Sequence, residues 1–293
     1  MEGSGLGFTP VQIYDEMLAS LAPHEKIYER LTVSSSVMTS LTMLQISTDR
    51  ALNSVMILLQ AGKVWDAEIL MRSAQEGFLK FCFILSELED IDSRAHEFND
   101  LSVDMAPLKT HEEIRELLGP SAQRGEFASG PLAYLLTEES DFVELQDKYP
   151  RPFRNKLETK WGFRSIAREL KGHLFFSDEE IAAILYSYVM SSHQGHMDGI
   201  GLNMVFERES RTTLQRDQAN FDHHVAIVNR AFGLRVSRLL YTFDFSGEDP
   251  AKLSTTLNHC VSLMAPSAAV VKRSHEAKYP PKDLAALFSP KQS

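Results

Sequence analysis

Between Ser36 and Gln60 the chain places Leu41, Leu44, Thr48, Ala51, Val55 and Leu58 at three- and four-residue intervals, and nowhere in its 293 residues does a two-residue alternation persist. This constrains the fold more than any other feature. Intervals of three and four keep side chains on one face of a helix, whereas a half-buried strand needs period two. The expected class is therefore all-α. Ala61-Gly62-Lys63 closes this first helix, since glycine readily takes the left-handed C-terminal cap. A second helix is predicted from Trp65 to Leu88, and the short connection makes the two an antiparallel hairpin.

Further along, Ser177-Asp178-Glu179-Glu180 matches a capping box, opening a helix through Ile181, Leu185, Tyr188 and Ser192 that should end near Gly195–Gly199. A long helix is expected over Asp217–Phe243, and another over Pro250–Met264. Four or more long helices make a helical bundle the natural core. The stretch 89–176 reads as an irregular helical insertion. It has short helices around His111–Leu118 and over 161–172, with loops at Gly125–Pro131 and Tyr149–Pro152. An N-terminal arm with a short helix (1–30) should precede the bundle (31–250), and a C-terminal helix with a loose tail (251–293) should follow it.

With 43% hydrophobic and 24% charged residues the chain can bury a core. Its net charge of −10 excludes a general nucleic-acid coat protein, although a local basic cleft can sit inside an acidic shell. The N-terminus has no basic stretch followed by an apolar core, as a signal peptide would. The longest apolar runs, such as Val55–Leu59, fall far short of the ~20 residues of a membrane span. The cysteines Cys82 and Cys260 suit a reducing compartment. A cytoplasmic protein without a membrane partner is expected.

The second helix carries the first functional signal. Trp65, Ile69, Arg72, Glu76, Leu79 and Phe83 are spaced as one face, so Arg72 and Glu76 interrupt an apolar stripe. Buried charges cost several kcal/mol unless paired, so these two either knit the bundle together or line a polar cavity. The helix after Ser177 repeats the pattern with Ser192 and His196. If the two helices face each other, Arg72, Glu76, Ser192 and His196 converge.

Ala61-Gly62-Lys63, followed by Trp65-Asp66-Ala67-Glu68-Ile69-Leu70 and by Arg72-Ser73-x-x-Glu76, resembles the signature helix of the bacterial domain-of-unknown-function family 5677. Tyr188, Ser192 and His196 match that family's Tyr-x3-Ser-x3-His-like segment, and Trp161 fits a tryptophan of its middle region. The resemblance spans about residues 40 to 245. The family is in turn similar to HEPN-type helical domains, many of which are RNA-cleaving toxins or phage-defence effectors. The resemblance thus implies RNA as a partner and metal-independent ribonuclease chemistry.

Such nucleases carry an arginine, four to six intervening residues and then a histidine near the start of a long helix. Histidine moves the proton of a ribose 2′-hydroxyl, and arginine stabilises charge on the phosphate. Arg168-x4-His173 and Arg216-x6-His223 both fit, which is no more than chance supplies in a chain with 10 histidines. Gly172 puts His173 at a helix end, so Arg216 and His223 are the better pair. Ser192 with His196 lacks the third group that orients a serine nucleophile's base. Glu-x-x-His pairs are missing, and neither a metal nor a cofactor is expected. The candidate catalytic set is therefore Arg72, Glu76, Ser192, His196, Arg216 and His223. The alternative is a non-catalytic helical module that binds a protein partner or a ligand through a buried polar network. In either case helices can also pack across a homodimer interface.

Overall fold

Several helices begin at caps written in the sequence. Thr9 forms a capping box with Gln12, and Pro10 opens helix α1 (Pro10–Glu25). Ser177 and Glu180 bond reciprocally at the start of α9 (Asp178–His196). Thr212 and Gln215 do the same for α11 (Thr213–Phe245). The computed structural model describes residues 9–123, 136, 138–173 and 177–278. The other helices are α2 (Ser35–Gln60), α3 (Val64–Leu85), α4 (Ile91–Asn99), α5 (Ala106–Gln123), α6 (Glu139–Lys148), α7 (Arg151–Lys160), α8 (Phe163–Glu169), α10 (Gly199–Glu209) and α12 (Ser254–Lys278). The fold is all-α, with no strand among the described residues. Gly62 closes the α2–α3 connection at φ +72°, as the expected left-handed cap requires.

Two compact units divide the chain. The first comprises Met1–Arg30, Ala51–Arg72 and Val189–Ser293. Here α1 packs on α11 and α12. Leu21, Ile27, Leu239, Phe243 and Leu253 form one core cluster, with Tyr28, Phe232, Val236, Leu240 and Leu257 against it. Two buried arginines of α11 stitch the packing. Arg235 Nε donates to the Tyr14 hydroxyl at 3.1 Å, and Arg238 Nε to the Tyr28 hydroxyl at 3.2 Å.

The second unit comprises Leu31–Arg50 and Ser73–Tyr188. Phe83 meets Trp161 edge-on at 5.1 Å between centroids, and Trp161 Nε1 donates to Glu97 at 2.9 Å. Buried Arg94 donates to the Phe83 carbonyl and the Ser86 hydroxyl, each at 2.6 Å, and to Glu169 at 3.0 Å. Gly77 lies where a Cβ would come within 2.6 Å of Thr48 Oγ1, so glycine sets how closely α3 approaches Thr48.

Among its described residues the stretch read as an irregular insertion is mostly helical, interrupted by a π-type turn (Asp100–Met105) and a kink at Gly119. Tyr149–Pro152, expected to be a loop, leads directly into α7. Pro152 falls in that helix's first turn, where a missing N–H removes no helical bond. Helix α10 was not expected at all. The preceding helix was expected to end near Gly195–Gly199, and there Asp198 Oδ1 accepts the Ile200 and Gly201 amides at 3.0 Å and starts a new helix. A Cβ at Gly201 would sit 2.2 Å from the His193 carbonyl oxygen, so glycine there permits the tight α9–α10 corner. The corner also holds Met197 at φ +50°. The long helices expected over Asp217–Phe243 and Pro250–Met264 are both longer than periodicity indicated. The loop expected at Gly125–Pro131, the first eight residues of the N-terminal arm and the tail from residue 279 onward lie outside the described residues.

Candidate functional site

The face of α3 that is buried is not the one the sequence reading selected. Ile69 is 38% exposed, Arg72 and Glu76 are half-buried, and Glu76 pairs with Lys80 at 3.0 Å rather than with Arg72. The inward positions are Val64, Ala67, Glu68, Met71, Ala74, Gln75 and Phe78. The buried carboxylate of this helix is thus Glu68, at 3% exposure.

Glu68 is tied from two other helices of the first unit. Arg230 of α11 binds it with both terminal nitrogens, Nη1 to Oε1 at 2.6 Å and Nη2 to Oε2 at 2.5 Å. This two-pronged contact is the geometry in which a guanidinium best compensates a buried carboxylate. Ser191 of α9 donates its hydroxyl to Oε1 at 3.1 Å. His223, two turns before Arg230 on α11, brings Nε2 to 3.3 Å from Oε2 without making a hydrogen bond. Its ring stacks on Trp65 at 4.6 Å between centroids, and the Arg208 guanidinium lies 5.0 Å from the Trp65 ring centre. Around this carboxylate the buried atoms His223 Nε2, His224 Nε2, Trp65 Nε1 and Gln194 Oε1 make no hydrogen bond among the described residues.

The electrostatics follow from burial. Desolvation holds the His223 imidazole below its ordinary pKa, the Glu68 carboxylate opposes that shift, and Arg230 reinforces it. Burial alone lowers His224. Both rings are therefore neutral at pH 7, the form in which an imidazole can accept a proton. With His223 Nε2 turned toward Glu68, Nδ1 is the nitrogen left for an acceptor role.

Of the expected set, the structure brings only His223 into this cluster. Ser192 is half-buried, and its neighbour Ser191 makes the contact to Glu68. His196 is exposed at the end of α9. Arg216 lies two turns before His223 on α11 and pairs with Glu209 at 3.3 Å. In the second unit Gln75 donates to the Ser187 hydroxyl at 3.2 Å. On both α3 and α9, then, the inward polar residues stand one or a few positions from those expected. The sequence reading missed Glu68, Arg230 and Ser191. The signal for Glu68 was present: Val64, Ala67, Met71, Ala74 and Phe78 make a more continuous apolar arc than the stripe through Arg72, and Glu68 lies inside it.

Among the described residues no group of three or more His, Cys, Asp or Glu side chains is arranged to hold a metal ion, and no helix is long and apolar enough to cross a membrane. Comparison with protein-family models, with curated proteins and with solved structures finds no match.

Proposed function

We propose that the protein is a metal-independent, RNA-directed nuclease of HEPN-like type, acting as a toxin or phage-defence effector, with His223 as its proton-transfer residue. The observation that carries the reading is the placement of His223: half-buried, neutral at pH 7, and set beside the Glu68–Arg230 pair. A neutral imidazole can take the proton of a ribose 2′-hydroxyl through Nδ1 as that oxygen attacks the adjacent phosphate. Arg230 and Arg216 lie on the same side of α11, one two turns after His223 and the other two turns before it, about 10 Å away in each direction. They are the groups available to stabilise charge on the phosphate. Glu68 positions Arg230 and stands beside His223.

The test is incubation of purified protein with single-stranded RNA in the presence of a chelator. Cleavage is expected, with loss of at least about a hundredfold in His223→Ala and no cleavage of a 2′-O-methyl strand. Cleavage of the 2′-O-methyl strand, or full activity in His223→Ala, would remove His223 from the chemistry. A second reading, a non-catalytic helical module, is supported by the two-pronged Glu68–Arg230 contact, which is also how a purely structural network is tied. On that reading no RNA is cleaved, and Glu68→Ala is felt only as lost stability.

A further inference from the structure

Glu68 is contested. Its carboxylate is held by Arg230 and Ser191, while His223 Nε2 stands 3.3 Å from Oε2 with no hydrogen bond formed. The contestants differ in access. Glu68 is 3% exposed, whereas the side chains of Arg230 and His223 are each 25% exposed and can be reached by a solute. Arg230 is therefore the one member of the pair that an incoming anion can engage, and a guanidinium binds phosphate oxygens in the same forked geometry it uses for a carboxylate.

The geometry points to an oxyanion site at Arg230 and His223, of the phosphate class, in which the bound anion draws the guanidinium off Glu68 and leaves that carboxylate to His223. This deepens the nuclease reading and rests on it for biological meaning, but the switch itself can be tested without any cleavage. Before the anion binds, Arg230 neutralises Glu68, and the imidazole faces a carboxylate whose charge is already spent. Afterwards Glu68 accepts a hydrogen bond from His223 Nε2–H. That bond fixes the tautomer whose lone pair is on Nδ1 and stabilises the imidazolium formed when a proton arrives. The remaining groups facing His223 do not reproduce this effect. Ser191 on α9 is a neutral hydroxyl, His224, next to His223 in the chain, is itself kept neutral by burial, and Arg208 of α10 lies over the Trp65 ring and is a cation, not a carboxylate. The device ties the proton affinity of the histidine to the presence of a phosphate.

The experiment is an NMR titration of the His223 ring in the full chain, with inorganic phosphate as probe and sodium chloride at equal ionic strength as control. In the wild type, phosphate is expected to raise the midpoint by about one pH unit, the size of effect that an opposite charge at contact distance produces, while chloride leaves it in place. Arg230→Gln is expected to show the raised midpoint without phosphate and no further response. Glu68→Gln is expected to keep only the part of the response that the phosphate's own charge produces. The proposal is overturned by a wild-type midpoint that phosphate does not move, by an Arg230→Gln midpoint equal to that of the wild type, or by a full phosphate response in Glu68→Gln. Should Glu68→Gln fail to fold, the wild-type and Arg230→Gln titrations still decide. A phosphate-dependent midpoint in a protein that never cleaves RNA would keep this switch and remove the nuclease reading. Cleavage with a phosphate-independent midpoint would do the reverse.

Discussion

Two glutamates two turns apart on α3 have opposite expected costs. Glu68→Ala strips Arg230 of its buried partner and should destabilise the protein by about 3–5 kcal/mol, the range for a broken buried pair. Glu76→Ala loses only an i,i+4 contact to Lys80 near the surface and should cost within about 0.5 kcal/mol. Urea unfolding of both variants checks the contrast, and equal costs would contradict the assignment of the inward face. The two histidines set a pH dependence. Burial lowers both imidazoles, so just below the ordinary histidine value of about 6.5 the unfolded chain binds more protons than the folded one. Their stabilisation is complete above that pH. It is lost as pH falls toward the folded values, and levels off below them. Paired urea titrations near pH 7.5 and 5.5 should therefore show a smaller loss of stability for His223→Gln than for the wild type.

At the scale of elements, α3 explains both what the sequence disclosed and what it concealed. Its helical nature was plain from apolar spacing, as was the closure at Gly62. Its rotation was not. Every residue from Phe81 to Leu85 is buried, so around that end the helix has no polar side to orient it, and a stripe drawn back from Phe83 reaches Glu76 and Arg72 as easily as one drawn from Phe78 reaches Gln75 and Glu68. An error of one residue turns a helix by about 100°. His223 was singled out by the Arg216-x6-His223 spacing near the start of a long helix, whereas Glu68, Arg230 and Ser191, distant from one another in sequence, were not. The close approach at Gly77 offers a test of packing in the second unit. Gly77→Ala should cost about 1–3 kcal/mol through the clash with Thr48 Oγ1, and Thr48→Ala in the same chain should restore most of it. Thermal unfolding of the single and double variants reads this directly, and a harmless single substitution would show that Thr48 can swing aside.

For the whole molecule, charge is the feature that limits a nucleic-acid partner. A net charge of −10 repels a polyanion at long range, so any RNA must be held by a few local cations such as Arg208, Arg216 and Arg230. Each phosphate neutralised on a single strand contributes about −0.7 to the slope of log affinity against log salt. Fluorescence anisotropy with the His223→Ala protein should therefore give a shallow slope, no steeper than about −2 for three contacts. A much steeper slope would reveal a basic surface that the cluster around Glu68 does not provide.

The chain order of the Glu68 cluster matters to a protein made from its N-terminus onward. Glu68 leaves the ribosome 123 residues ahead of Ser191 and 162 ahead of Arg230. At about 5–20 residues per second, the carboxylate waits on the order of 10–30 s for its guanidinium. Until then, burying α3 would strand an uncompensated charge, so the nascent hairpin is better left loosely packed than closed. A chain cut short anywhere before α11 carries Glu68 without its counter-charge. The pairing that builds the candidate site thereby waits on the synthesis of α11.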